Sequence, residues 1–395
     1  MEECSLGARP TPLTTPYAIF FATGVTVCGI LPMFLVGAVF VQMRQDLGLS
    51  AANLGIVLTT FLVTGGLLSV PAGRLINRIG ATAGARLSVT LSAIAALGIG
   101  MTARSFGTLA SWVLVAGVGN AVSHPAINLF LSRAVPADRH GVAFGVRQAA
   151  LPLGSLLGGL AVPVIALTIG WRWAFIGMIV PAVLLSMWAP RLPHSSGNCG
   201  GDGAGQLTAV ERRTVILLTY AMAIGFACHT NLGAFTVSSA VDAGIPEGSA
   251  GILLAGGSIV AVVVRVLVGT MADRRAGGHL QWVALMLYVG AIGYFLIAAG
   301  TLSTIILGTA LTFGLAWGWP GLFILAVVQR FPHAVGTTTG ILQTGGFLGA
   351  ATGPLLFGLS AEHLSFSFAW AAIGVATIVA ATSILATARA LGRWP

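Results

Sequence analysis

Apolar residues run through this chain in blocks of about twenty, each closed by a short polar turn carrying arginine, glycine or proline. A helix rising 1.5 Å per residue needs about 20 such residues to cross a hydrocarbon layer about 30 Å thick. Twelve blocks follow one another, at 17–41, 51–73, 82–103, 107–132, 141–167, 172–189, 214–240, 249–271, 279–299, 303–329, 336–359 and 365–388. The pattern predicts an all-α membrane protein with twelve transmembrane helices. Between the sixth and seventh blocks lies RLPHSSGNCGGDGAGQLTAVERR, the longest polar stretch, which reads as a flexible connector. The expected organisation is therefore a six-helix bundle over 1–190, a cytoplasmic linker over 191–213 and a second six-helix bundle over 214–395.

Composition sharpens this reading. Of 395 residues, 56% are hydrophobic and only 7% charged, which excludes a water-soluble core. The net charge of +9 comes entirely from arginines spread along the chain, with no basic arm of the kind nucleic acid attracts. With both termini cytoplasmic, fourteen arginines fall on the inner side and three, Arg44, Arg104 and Arg172, on the outer, as the positive-inside rule requires. The N-terminal fifteen or so residues are polar and lead directly into a full-length apolar block, so no removable signal is read. Cys4, Cys28, Cys199 and Cys228 lack metal or disulfide spacing, and no phosphate loop, H-E-x-x-H pair or nucleophile elbow occurs. Neither an enzyme nor a bound cofactor or metal is expected.

The two halves resemble each other. At an offset of 195, GVAFGVRQAALPLGSLLGG from residue 141 meets GTTTGILQTGGFLGAATGP from residue 336, pairing Gln148 with Gln343, Gly154 with Gly349 and Gly158 with Gly353. Pro125 falls on Pro320 and Gly119 on Gly314. At an offset of 196, GRLINRIG (73–80) meets GTMADRRA (269–276). Matches near half the chain length in several helices indicate a duplicated six-helix unit.

Twelve spans as six plus six, a loose central loop and G-x-x-x-(D/N)-R after the second and eighth helices resemble the major facilitator superfamily over essentially the whole chain. The resemblance implies a gating role for Gly73, Asn77 and Arg78 and for Gly269, Asp273 and Arg274, at the cytoplasmic ends of the two halves. Asn77 departs from the aspartate usual in that pattern, which replaces a salt bridge by a hydrogen bond. The arginine that drug/proton antiporters of the family carry in the fourth helix is missing from WVLVAGVGNAVSHP (112–125), which argues against efflux of cationic drugs.

All ten acidic residues map to termini or loops, whereas Arg147 and Arg265 fall inside predicted helices. A buried arginine costs at least about 2.5 kcal/mol on insertion scales, so each needs water, backbone carbonyls or an anionic ligand. Each lies eight residues from a cytoplasmic marker, Arg139 or Asp273, or roughly 12 Å deep. The family architecture implies that helices five and eight face each other, bringing both guanidiniums to one cavity, where their forked donors match a carboxylate or similar oxyanion. The structural alternatives are snorkelling of Arg147, or its bonding to carbonyls freed by Pro152.

Asn120, His124 and Asn128 form an i, i+4, i+8 stripe on the fourth helix, read either as substrate hydrogen bonding, with proton exchange at His124, or as interhelical packing. His229 and Asn231 of the seventh helix pose the same choice, with Gly233 marking a local break, and Gln148 and Gln343 offer amides. Trp317 and Trp319 suit a cavity wall, while Trp171 and Trp173 read as outer-interface anchors.

The expected function is alternating-access transport of a small organic or inorganic anion across a bacterial-type inner membrane, by a monomer embedded in the lipid bilayer. A proton or counter-anion is the expected coupled partner, and no nucleic acid is involved. The substrate site is expected at Arg265, Arg147, His124, Asn120, His229, Asn231, Gln343 and Gln148. The alternatives are proton-coupled efflux of an amphipathic compound and, from another class, a membrane ligand sensor without transport.

Overall fold

Twelve helical spans follow the apolar blocks closely, and all regular structure among the described residues is helical. The computed structural model describes residues 15–136, 143, 146–190, 208–273, 278–331 and 335–392. In order the spans are Thr15–Ala38, Ala51–Ile79, Ala81–Thr102, Phe106–Ala134, Val146–Ile169, Trp171–Met187, Ala209–Asp242, Glu247–Asp273, His279–Ala298, Leu302–Arg330, Val335–His363 and Phe366–Gly392. Among the described residues, ten are long and apolar enough to cross a membrane by length and composition. The sixth is a shorter apolar helix, and the eleventh is diluted by Gly and Thr over its 29 residues.

Local signals set the helix starts. Ser50, Ser105, Thr208 and Thr301 cap the second, fourth, seventh and tenth spans, each in a reciprocal bond with the residue three positions on, which satisfies donors otherwise orphaned at a helix N-terminus. The cap at Thr208 starts the seventh span at Ala209, so the last residues assigned by sequence to the connector are helical. Residues 191–207 lie outside the described residues. A short helix, Phe40–Leu47, follows the first span and was not expected from the pattern.

The duplication is visible in packing. Gly154 and Gly158 of the fifth span seat Phe34 of the first. Their repeat mates Gly349 and Gly353, in the eleventh span, lie against the backbone of Ala223 and Ala227 in the seventh. Gly345 continues that row against Thr219, so small residues four apart let the two helices approach closely.

The first six and last six spans meet along three antiparallel or crossing seams, and these seams are tight at one end only. The far end is where the first span finishes. There a Cβ on Gly37 would lie 2.8 Å from Ala234 backbone, one on Gly159 would lie 2.7 Å from the Gly251 carbonyl oxygen, and one on Gly358 would lie 2.6 Å from the Ala51 carbonyl oxygen. A Cβ on Gly55 would fall on the Pro354 carbonyl. Thr59 donates to the Ala351 carbonyl at 2.8 Å. At the near end, Cβ atoms built on Gly73, Gly269, Gly321 and Gly340 would meet nothing within 4 Å. The seams between the halves are thus closed at the far end, while at the near, open end these glycines face free space.

This bears on the residues expected to gate. Gly73, Asn77 and Arg78 end the second span and Gly269 lies near the end of the eighth, all on the open side. The Asp273 side chain and Arg274 lie outside the described residues.

One carboxylate ties the closed end. The Ala52 backbone N–H, in the first turn of the second span, donates to Glu362 of the eleventh span at 2.7 Å. Glu362 thus places negative charge at the helix N-terminus of the opposite half, where it is favoured. The Ser50 side chain and the Ala52 N–H, aided by His363 and Arg44, hold the Glu362 carboxyl below its usual 4.5. A carboxylate with a depressed pKa in the closed form supports closure fully above that usual value, and its support is lost as pH falls through the depressed one. Glu362→Gln, or acid pH in the wild type, is therefore expected to raise hydrogen–deuterium exchange over 50–58 and 354–363. Gly55→Ala should raise it further, and Gly73→Ala should leave it unchanged.

Candidate functional site

The two arginines that the sequence puts inside apolar blocks, Arg147 and Arg265, have different surroundings in the structure. Arg147 sits near the start of the fifth span and is buried, with 7% of its surface exposed. It turns toward the fourth span, where its Nη1 donates to Asn128 Oδ1 at 2.7 Å and its Nη2 lies 2.6 Å from His124 Nδ1. A guanidinium can only donate, so His124 Nδ1 accepts and the ring is neutral with its proton on Nε2. Two members of the polar stripe thus serve an intramolecular cation, and the free proton exchange expected of His124 is not open to it while this bond stands. The third, Asn120, is buried against Gly65 of the second span and Gly29 of the first.

Arg265 is only half-buried. Its Nη1 donates to the Gln148 carbonyl at 2.9 Å and its Nη2 to the Trp317 carbonyl at 2.9 Å, and its guanidinium carbon lies 5.5 Å from the centre of the Trp317 ring. Trp317 is available for this because the tenth span is irregular. A π-turn spans Thr312–Ala316, the Trp317 N–H reaches back to the Thr312 carbonyl at 2.9 Å, and regular helix resumes only at Pro320. Such insertions often occur at functional sites.

Among the described residues, neither cation has a carboxylate partner. The ion pair found there joins Arg172 and Asp46 at 2.9 Å at the far end. Asp46 also accepts from Trp171 Nε1 at 2.9 Å. Those two contacts, the Trp171 bond first, hold its carboxyl below the usual range. Trp171 is buried in that clasp, so it is not the lipid-interface anchor that sequence suggested, whereas Trp173 is exposed.

The two guanidiniums do not converge. Arg265 touches the residue next to Arg147, yet Arg147 points into the first half. Below the closed end, the seam between the fifth and eighth spans is held by Ser258 bonded to Ser155 at 3.0 Å, and then by Arg265 on Gln148. Gln148 contributes its backbone carbonyl, while its side chain is exposed, as is that of Gln343.

The seventh span is unbroken from Ala209 to Asp242, which corrects the expected break near Gly233. Asn231 folds back on its own helix, its Nδ2 donating to the Ala227 carbonyl at 2.6 Å, and is fully buried. Gly233 instead admits the Phe34 ring from the other half. His229 lies in an aromatic box, with ring centres 4.6 Å from Phe226, 6.3 Å from Trp317 and 6.2 Å from Trp319. Its Nδ1 is buried.

Phe34, Phe226 and Phe347 were not singled out from the sequence. Phe347 comes from the eleventh span and lies 6.4 Å from His124, edge to face. In a chain this apolar, no sequence signal separates an aromatic residue on a cavity wall from one in the core.

Charged hydrogen bonds contribute about 1.5–3 kcal/mol each. His124→Ala and Asn128→Ala are each expected to destabilise the protein on that scale in thermal unfolding. Arg147→Met should cost less, because it also removes the charge that demands those partners.

Comparison with known proteins agrees with this architecture. The family model described as Major Facilitator Superfamily matches residues 22–354. The chain is 25% identical over 359 residues to a putative tartrate transporter of Agrobacterium vitis, covering 82% of this chain and 78% of that protein. It is 26% identical over 347 residues to a nitrite extrusion protein of Bacillus subtilis (strain 168), covering 84% and 83%. Among solved structures, a bacterial homologue of the human lysosomal transporter Spinster superposes with a TM-score of 0.77 at 16% identity, covering 98% of this chain and all of that one. With twelve helical spans, an internal repeat and a family match over most of its length, the chain belongs to the Major Facilitator Superfamily.

Proposed function

We propose that this multi-pass membrane transporter carries a small anion by alternating access, with Arg265 as the principal anion-binding group. The observation that carries this reading is the state of Arg265. It is a permanent cation in an apolar helix, half-buried, and its partners are two neutral carbonyls and an indole face. Two of its five N–H donors are engaged in those bonds, which leaves three for a ligand. An anion arriving at such a group adds ion-pair attraction and a bidentate fit to the guanidinium fork, neither of which the two separate neutral carbonyls supply.

Two similar proteins, the putative tartrate transporter and the nitrite extrusion protein, are named for anions, which fits the reading. The rival, an amphipathic cation seated on aromatic rings, is disfavoured by the same geometry, because the Trp317 face is already occupied by Arg265. In this account Arg147 is a scaffold. It holds the fourth and fifth spans together, and His124, facing Phe347, forms the opposite wall. His229, stacked on Trp317, and Gln343, with its exposed amide, flank the cavity, while Asn231 and Asn120 are buried in helix packing around it.

The arginine distribution supports a cytoplasmic near end, and in a bacterial inner membrane this conformation would be open inward. The units 1–190 and 214–395 rock about the central cavity, and 191–213 links them. With no carboxylate partner for Arg265 or Arg147 among the described residues, exchange against a second anion is the favoured coupling.

Proteoliposomes loaded with nitrite or tartrate test this directly. Arg265→Ala is expected to lower exchange of the transported anion by about 10- to 100-fold, the loss of one charge-assisted contact, and Arg265→Lys should retain part of it. A neutral sugar should not be carried. Wild-type rates in Arg265→Ala would overturn the assignment.

A further inference from the structure

The bond between Arg265 and Gln148 exists because of a proline. In a regular helix the carbonyl of residue 148 accepts the N–H of residue 152. That residue is Pro152, which has no N–H. The ladder around it confirms the gap, since Ala149 N–H reaches the Val146 carbonyl at 3.0 Å and Leu153 N–H reaches the Ala149 carbonyl at 3.0 Å, passing over Gln148. A carbonyl left unpaired inside a membrane protein is costly. Here it is satisfied from the other half of the molecule, by Arg265 Nη1 at 2.9 Å.

This contact is placed where it matters for transport. It continues the seam of the fifth and eighth spans, after Gly159 against Gly251 and Ser155 against Ser258, and it lies deepest toward the open end. Neither of the shallower contacts involves a charge. Arg265 therefore has two roles at once: on the proposed reading it is the cation offered to the cavity, and it bolts one half to the other.

We propose that the Gln148 carbonyl, freed by Pro152, is a built-in stand-in for the transported anion, and that loading the site and releasing this bolt are one event. The inference rests on the reading of Arg265 as the anion-binding group. An anion outcompetes a neutral carbonyl for the same donor, so Arg265 turns from Gln148 to the ligand and the inner part of the seam is untied. An empty carrier keeps the bolt. Pro152 is then a positioning residue, acting through the carbonyl four residues before it and touching no substrate. The competition also sets affinity, because part of each binding event is used to displace the stand-in.

The test uses full-length protein in nanodiscs, with its four cysteines replaced and spin labels at Val146→Cys and Met271→Cys, both exposed positions at the near end of the two spans. Pro152→Ala and Pro152→Gly both restore the missing N–H while differing in side chain. Without anion, each is expected to lengthen or broaden the inter-label distance, as is Arg265→Ala. Combined with Arg265→Ala, either should add nothing, since both changes break the same bond. Nitrite or tartrate should shift the wild-type distance the same way and leave Pro152→Ala unmoved, while its apparent affinity for the anion tightens by about two- to tenfold.

Additive effects of the two substitutions, or an unchanged distance in Pro152→Ala, would overturn the bolt, even if transport still depends on Arg265. Non-additive effects in the empty protein, with no response of the wild type to either anion, would overturn the stand-in role. Normal exchange by Arg265→Ala in proteoliposomes would instead remove the anion reading on which the proposal rests.

Discussion

A guanidinium cannot shed its proton in the membrane, and Arg265 has no carboxylate at its level among the described residues. The rest of the site is arranged around that constraint. Two carbonyls that helices normally use internally are released to meet it, one by Pro152 in the fifth span and one by the π-turn and break before Pro320 in the tenth. The Trp317 ring adds its face. These partners are neutral, so they lower the cost of burying the charge without cancelling it. On the proposed reading, a site satisfied this way still favours an anion.

Arg147 shows what the same residue becomes when its donors are matched by side chains. With His124 and Asn128 on its terminal nitrogens, it is buried within the first half and ties two helices of one bundle. The contrast assigns different work to two arginines that look alike in sequence. One is internal to a half and does not sense the other half. The second crosses between halves and, on the proposed reading, changes partners when they move. The closed end beyond it is built from a different material, glycine-lined backbone contacts and one helix-capping carboxylate, Glu362. These contacts are short-ranged and state-specific, so they can be made at one end while the other stays open.

Much of this fold was legible in the order of residues. Twelve apolar blocks of bilayer length, the duplicated Gln–Gly pattern and the arginine-bearing turns after the second and eighth spans gave the family and the two intramembrane cations. The polar stripe of the fourth span was legible as a stripe, but its partner was not, because spacing along one helix does not say which neighbour it faces. Pro152 was legible as a source of free carbonyls. Sequence reading offered them to Arg147, the nearer cation along the chain, and only three-dimensional packing gives them to Arg265, 117 residues away. The seats of Phe34 and Phe347, and the burial of Trp171 against Asp46, lie beyond sequence reading for the same reason: apolar pattern fixes that a side chain is buried, and not where.

Anion-dependent stability tests the central claim most directly. A ligand that binds only the folded carrier raises its stability by about 2.7 kcal/mol at a hundredfold excess over its Kd. In thermal unfolding at constant ionic strength, nitrite or tartrate is predicted to raise the wild-type melting temperature in a saturable way, with no rise in Arg265→Ala and none from a neutral sugar. An equal rise in the wild type and Arg265→Ala would contradict the account, because the anion would then be bound somewhere other than the cation on which the site is built.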